Sequence, residues 1–239
     1  MDTMQVLKRL EGYPTFNVDT VAGILGKDAS YAKVYLNRLK NRGIIHKLQR
    51  NVYTVQDDPL IIASRIIWPS YISLWAALRY HNLTEQTSNN ISIVTTRSKS
   101  RHNISYKNTV IVFEKVQPLC FFGFSKIRIK DFELFMAEPE KALIDAVLLK
   151  RISVAEVYSM LNENRKEISS EKIIDYVLRT QNKALAKRFG WMLSSLDYPS
   201  AKKLKEGAYK TLIPLDYSRP VSDIIDKQWG VFVNIGRTG

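Results

Sequence analysis

The chain is poor in cysteine, histidine and acid, and it has no long apolar run. Its single cysteine, Cys120, excludes an internal disulfide and fits a reducing compartment. Cys120 lies in the apolar run 119–122, where a buried, inert thiol is expected. The histidines His46, His81 and His102 show no metal-ligand spacing. Among ten glycines there is no phosphate-cradling loop of the Walker type. No acid is followed two residues later by lysine, so the acid-x-Lys pair of many metal-dependent nucleases is missing. No glycine precedes a serine, so the Gly-Ser loop that opens nucleotidyltransferase sites is missing too. No apolar stretch approaches the roughly 20 residues that span a bilayer. Residues 1–10 do not have the pattern of a signal peptide. These absences lead us to expect a cytoplasmic protein with no membrane partner, no metal or other cofactor, and no catalysis of its own.

Acid is the scarcer charge. The 239 residues hold 36 Lys and Arg against 23 Asp and Glu, a net charge of +13. An excess of this size points to a polyanion or an acidic protein as partner, and nucleic acid is the commoner case. With 45% hydrophobic residues the chain can build a real core, as one large domain or two moderate ones.

The most informative stretch is 17–55. A first helix is expected over residues 3–10, with Val6, Leu7 and Leu10 inward. Asn17 is an N-cap type, with Phe16 before it and Val21 placed to close a hydrophobic staple. The helix it opens stops near Gly26. The next helix starts near Asp28 or Ser30 and ends at Gly43. Ala32, Tyr35, Leu36 and Leu39 follow the i, i+3, i+4, i+7 rule, so they claim the buried face. Ser30, Tyr31, Lys33, Asn37, Arg38, Lys40 and Arg42 are left outside. Gly43 then leads into a strand, a tip at Gln49, Arg50 and Asn51, and a second strand, with Lys47 on the hairpin.

Between Lys27 and Arg50 there are seven basic residues and one acid. A basic helix beside a basic hairpin is the pattern of a winged helix-turn-helix, with the helix for the major groove and the wing for flanking phosphates. The alternative is a module of the same shape used only for protein contacts.

The polar segment 56–59 is the expected boundary between this domain, 1–56, and a larger α+β domain, 57–239. In the larger domain we expect a helix over 60–67 and one over 72–81. Strands follow at 91–95, 109–113, 121–124, 127–129 and 134–136, with 121–136 as an antiparallel meander. Helices are expected from Glu138-Pro139-Glu140 onward and over 154–161, 170–179 and 183–196. A last strand is expected at 231–235, with a frayed tail over 236–239. The fold class is therefore α+β: a winged helix, then a mixed domain with an antiparallel sheet and C-terminal helices.

Two further basic clusters stand out. One is Arg97, Lys99, Arg101 and Lys107, in a Ser/Asn-rich loop. The other runs over 183–210. Each is either ordinary surface charge or a contact surface. In the second cluster Lys187, Arg188, Lys202 and Lys203 are the candidates for a partner-binding surface. Glu138, Glu140 and Asp145 could be imagined as a carboxylate cluster. However, Glu140 and Asp145 are off the i, i+4 ridge, and helix-start placement explains the first two.

The run Tyr71-Ile72-Ser73-Leu74-Trp75-Ala76-Ala77-Leu78, then His81-Asn82-Leu83-Thr84-Glu85-Gln86, then 91–96, resembles the AbiEi antitoxin family of abortive-infection, type IV toxin–antitoxin systems. The stretch Ala137-Glu138-Pro139-Glu140-Lys141-Ala142-Leu143-Ile144-Asp145-Ala146 and the hairpin end Arg50-Asn51-Val52-Tyr53 resemble it as well. The chain departs from the pattern at Ala76, where a serine is expected, and in several C-terminal segments.

The resemblance implies a winged helix ahead of an antitoxin domain. It implies repression of the chain's own operon through a double-stranded DNA operator. It also implies neutralisation of a nucleotidyltransferase-like toxin without a stable complex. Two other readings stay open: a stand-alone winged-helix repressor whose second domain senses a ligand or dimerises, and an enzyme with a DNA-targeting arm.

Overall fold

The computed structural model describes residues 2–99, 101–205 and 211–236. It is a mixed α+β protein made of two compact units. The first comprises Met1–Ile72, Ser88–Lys115 and Lys126–Phe135, the second Ser73–Thr87, Val116–Ser125 and Met136–Gly239. The polar segment 56–59 falls inside the first unit.

The first unit opens with α1 (Thr3–Leu10), α2 (Val18–Leu25) and α3 (Ala29–Asn41), then the hairpin strands β1 (His46–Gln49) and β2 (Val52–Thr54). Each helix start is set by a side chain. Asp2 and Gln5 form a capping box on α1. Asn17 accepts from the Thr20 amide at 2.9 Å. Asp28 accepts from the Tyr31 amide at 2.7 Å. Such caps satisfy amides that the helix leaves unbonded, each worth about 1 kcal/mol. Gly26, at φ +62°, ends α2 in the left-handed region where glycine carries no penalty. Val6, Leu10, Phe16, Val21, Ala32, Leu36, Leu39 and Ile45 form one buried cluster, with Leu7, Tyr35 and Tyr53 packed against it.

The rest of the first unit is α4 (Pro59–Ile66) and most of a six-stranded sheet. Its strands are β3 (Ser70–Ser73), β4 (Asn90–Thr95), β5 (Asn103–Tyr106), β6 (Thr109–Lys115), β7 (Phe124–Ile129) and β8 (Phe132–Ala137). The spatial order is β5-β6-β4-β3-β8-β7. The sheet is mixed, whereas an antiparallel one was expected: β5 and β6 are antiparallel, but β4 and β6 are parallel. The reason is topological. The chain leaves β4, forms the edge strand β5, turns at Lys107 (φ +50°) and returns between the two.

Two strands of this sheet, β3 and β5, were not expected from sequence. No strand forms over 121–123: they follow a 3-10 turn at Pro118–Cys120 and include Gly123 at φ +71°, so β7 begins only at Phe124.

The second unit is mainly helical: α5 (Trp75–Tyr80), α6 (Pro139–Leu148), α7 (Val154–Glu163), α8 (Ser170–Arg179) and α9 (Lys183–Ser195). The helix expected over 72–81 is shortened, because Leu74 at φ +58° separates it from β3. Near the C-terminus β9 (Ile213–Pro214), β10 (Ile225–Asp226) and β11 (Val231–Phe232) form a small sheet in the order β10-β11-β9. The expected C-terminal strand is thus shorter, and residues 237–239 of the expected tail lie outside the described residues.

Helix α9 is buried continuously from Leu185 to Leu193. This corrects one expectation. Lys187 and Arg188 are 2% and 7% exposed and belong to the interior, not to a partner-binding surface. Lys187 Nζ donates to the carbonyls of Thr211 and Gly230. Arg188 donates from Nε to Leu215 O at 2.9 Å and from Nη2 to Pro214 O at 3.1 Å. These cations use their charge to satisfy carbonyls of the C-terminal segment, which a helix buried all round would otherwise leave without donors. Gly190 sits in the same helix because a Cβ there would come within 2.1 Å of the Trp229 ring.

Among the described residues no helix is long and apolar enough to cross a membrane.

Candidate nucleic-acid interface

Helix α3 presents two chemically distinct sides. Ala32, Leu36 and Leu39 are buried. With about 3.6 residues per turn, the opposite side is centred on Ser30, Val34, Asn37 and Asn41, flanked by Tyr31, Lys33 and Arg38. All seven are exposed, as are Lys40 and Arg42. The polar residues singled out from sequence are therefore on the surface. Val34, 53% exposed, and Asn41 were missed. The available signal was a β-branched apolar residue on the polar side of a helix. Tyr31, 49% exposed, gives this face a second apolar group.

The turn between α2 and α3 is residues 26–28, with Gly26 as its left-handed residue. Past α3, Gly43 at φ +69° sends the chain into the β1–β2 hairpin. The hairpin pairs His46 with Thr54 and Lys47 with Tyr53, with an irregularity between Lys47 and Gln49. Phe16 and Tyr53 exchange two backbone hydrogen bonds of 2.9 Å, which anchor the hairpin's base. Lys47, Arg50 and Asn51 are exposed and Gln49 is half-buried. Asn51 takes φ +56° at the tip, and its Oδ1 accepts from the Val18 amide at 3.0 Å. That oxygen fixes the hairpin to the start of α2. His46 packs edge-on against Tyr106, ring centroids 5.4 Å apart.

Lys99 and Arg101, between β4 and β5, adjoin the hairpin. Lys99 Nζ donates to Gln49 Oε1 at 3.3 Å and lies 3.9 Å from the centre of the Phe113 ring. Burial pushes its pKa below the ordinary lysine value. Lys115 Nζ donates to Ser98 Oγ at 2.6 Å. Lys107, grouped with this cluster from sequence, instead pairs with Asp57 at 2.5 Å.

The acids that might have suggested catalysis each have a structural partner. Glu138 accepts from Tyr176 Oη at 2.5 Å and pairs with Lys172 at 2.8 Å. Glu140 accepts from the Ser169 amide at 3.0 Å. Asp145 pairs with Lys141 and accepts from Ser73 Oγ at 2.8 Å. Among the described residues no group of three or more His, Cys, Asp or Glu could hold a metal ion. Of the basic cluster over 183–210, Lys202 and Lys203 are exposed, while Glu206 and Lys210 lie outside the described residues.

No protein-family model and no curated protein matches the chain. A solved structure is similar in fold, that of the RV2827C protein from Mycobacterium tuberculosis. It is 12% identical, with a TM-score of 0.62, over 91% of this chain and 85% of that one.

Proposed function

We propose that α1–α3 and the β1–β2 hairpin form a winged helix-turn-helix, and that the chain is a transcriptional regulator that binds double-stranded operator DNA. The observation that carries this reading is the exposed face of α3. Ser30, Asn37 and Arg38 stand opposite a buried Ala32, Leu36 and Leu39, beside a hairpin bearing Lys47 and Arg50. In this reading α3 enters the major groove. Asn37 and Arg38 bond base edges, Val34 and Tyr31 meet thymine methyls, and Lys33, Lys40, Arg42, Lys47 and Arg50 meet phosphates. A three-residue turn with a left-handed glycine between the two helices supports it.

Together with the resemblance to AbiEi antitoxins, this makes the chain the repressor of its own operon and the antitoxin of a nucleotidyltransferase-like toxin. It acts in the cytoplasm, with no cofactor and no catalysis of its own. Lys202 and Lys203 remain the candidate antitoxin surface, and Lys187 and Arg188 do not.

The test is fluorescence anisotropy with a duplex from upstream of the chain's own gene and a scrambled duplex. The parent should prefer the first. Asn37→Ala should lose about 1–3 kcal/mol of that preference, the value of one base contact. Equal binding of both duplexes by the parent, or an unchanged preference in the variant, would refute the assignment of α3.

A further inference from the structure

Beside the hairpin tip lie two adjoining cavities that share Lys99 and Arg101. One, of about 280 Å³, is completed by Gln49 and Arg50 of the hairpin. The other, of about 220 Å³, is lined by Arg97, His102 and Lys115 together with Phe113. Among the described residues no carboxylate lines either cavity. Among the described residues, Arg50, Arg97, Lys99, Arg101 and Lys115 form no ion pair with an acid.

We propose that this basic hollow between the β4–β5 loop and the hairpin is a second phosphate-binding site, which holds backbone phosphates of the DNA beyond those met by the wing. The inference rests on the reading of the chain as a DNA-binding regulator.

Three features point to phosphodiester rather than to a base or a protein carboxylate. First, charge of one sign gathered in concave sites focuses the field on an anion. Lys99 is partly removed from water with no acid to offset it, a cost that a bound anion relieves. Second, Phe113, which lines the hollow, already has Lys99 over its ring, so that face is not open for stacking a base. Third, the hollow is continuous with the hairpin. Gln49 accepts from Lys99 through its side-chain oxygen, and Lys99 and Arg50 line the same cavity. Two adjoining cavities suit neighbouring phosphates of one strand better than a single small anion.

The site therefore adds affinity without sequence information. It extends the footprint on the wing side.

The experiment uses the full chain with Arg97→Ala, Arg101→Ala and Lys115→Ala combined. Lys99 is left in place because its packing on Phe113 helps hold the loop. Circular dichroism and thermal melting check that the variant is folded. Affinity for operator and scrambled duplexes is then measured against salt concentration. We expect the same fold-loss on both duplexes, and a log–log salt slope shallower by about 0.9 for each contact removed. We also expect that shortening the duplex on the wing side brings the parent's slope to the variant's, which a purely structural role for the loop would not do.

A parent that binds with a variant of unchanged slope overturns the site and leaves the regulator reading intact. A parent that binds no duplex overturns both. Inorganic phosphate or polyglutamate protecting these residues as well as duplex does, with no change in slope, assigns the hollow to a free anion or an acidic protein and overturns the proposal.

Discussion

Asp145 shows how much one residue can carry. It and Lys141 are both fully buried on one helix face at i, i+4, and Ser73 donates to the second carboxylate oxygen. A buried pair is weak evidence of net stabilisation, but breaking one from a single side is costly, because the other charge stays in the interior. Asp145→Ala should therefore cost about 3–5 kcal/mol, read as a lower urea midpoint with an unchanged slope. Lys141→Met with Asp145→Leu should recover much of that loss, since apolar groups of similar size leave no charge behind. A single variant as stable as the parent would show that the pair is not a closed unit. From sequence Asp145 reads as a discarded catalytic acid, and Lys141 stands only within the stretch that resembles the antitoxin family. The interior charge was not legible, because a spacing of four says that two side chains meet and not whether water reaches them.

At the scale of elements, α6 and α8 are joined by a polar clasp. Burial pushes Glu138 up, but the Lys172 ammonium and the Tyr176 hydroxyl outweigh it and hold its carboxyl below the usual range. Burial and Glu138 push Tyr176 from its ordinary 10.0 to about 12. The signs give two pH limits. A raised pKa means stability that is full below pH 10.0 and is lost as pH climbs toward about 12. A lowered carboxylate pKa means stability present above the ordinary value and lost as pH falls through the folded one. Melting curves across pH should show an alkaline fall between about pH 10 and 12, and Tyr176→Phe should flatten that limb.

The hairpin makes a different prediction. Lys47→Ala with Arg50→Ala should weaken binding to operator and scrambled duplex alike and lower the salt slope by roughly 0.9 per contact. An unchanged slope would remove the hairpin from the interface.

The helices were largely legible in the sequence because their signals are local. Asn17, Asp28, Ser153, Ser169 and Asn182 all cap as their residue types lead one to expect. Strands β3, β5, β9 and β10 were not legible. They have two to four residues each, too few for an alternating pattern to stand out from the flanking loops. Lys187 and Arg188 misled for a related reason. Charge runs are read as surface, yet Phe189, Trp191 and Met192 beside them marked a helix buried on every side.

At the scale of the whole molecule the proposed reading assigns operator binding and neutralisation to different surfaces. A cut near residue 57 would test it poorly. Tyr106 Oη donates to the Gln56 carbonyl at 2.7 Å, and Lys107 pairs with Asp57, so the first unit is tied across that point. Substitutions in the full chain avoid this. Asn37→Ala with Arg38→Ala changes only exposed groups of α3, and Lys202→Glu with Lys203→Glu changes only exposed groups near the C-terminus. If operator binding and neutralisation belong to separate surfaces, the first variant should lose repression of a reporter and still rescue cells expressing the neighbouring toxin. The second should keep repression and lose rescue, because reversing two charges repels whatever anionic surface the lysines attract. Rescue that survives charge reversal would keep the antitoxin reading and discard Lys202 and Lys203. A parent that represses but does not rescue would make the chain a stand-alone repressor. Loss of both functions in the α3 variant would mean that neutralisation itself runs through DNA, with the antitoxin working by silencing its operon.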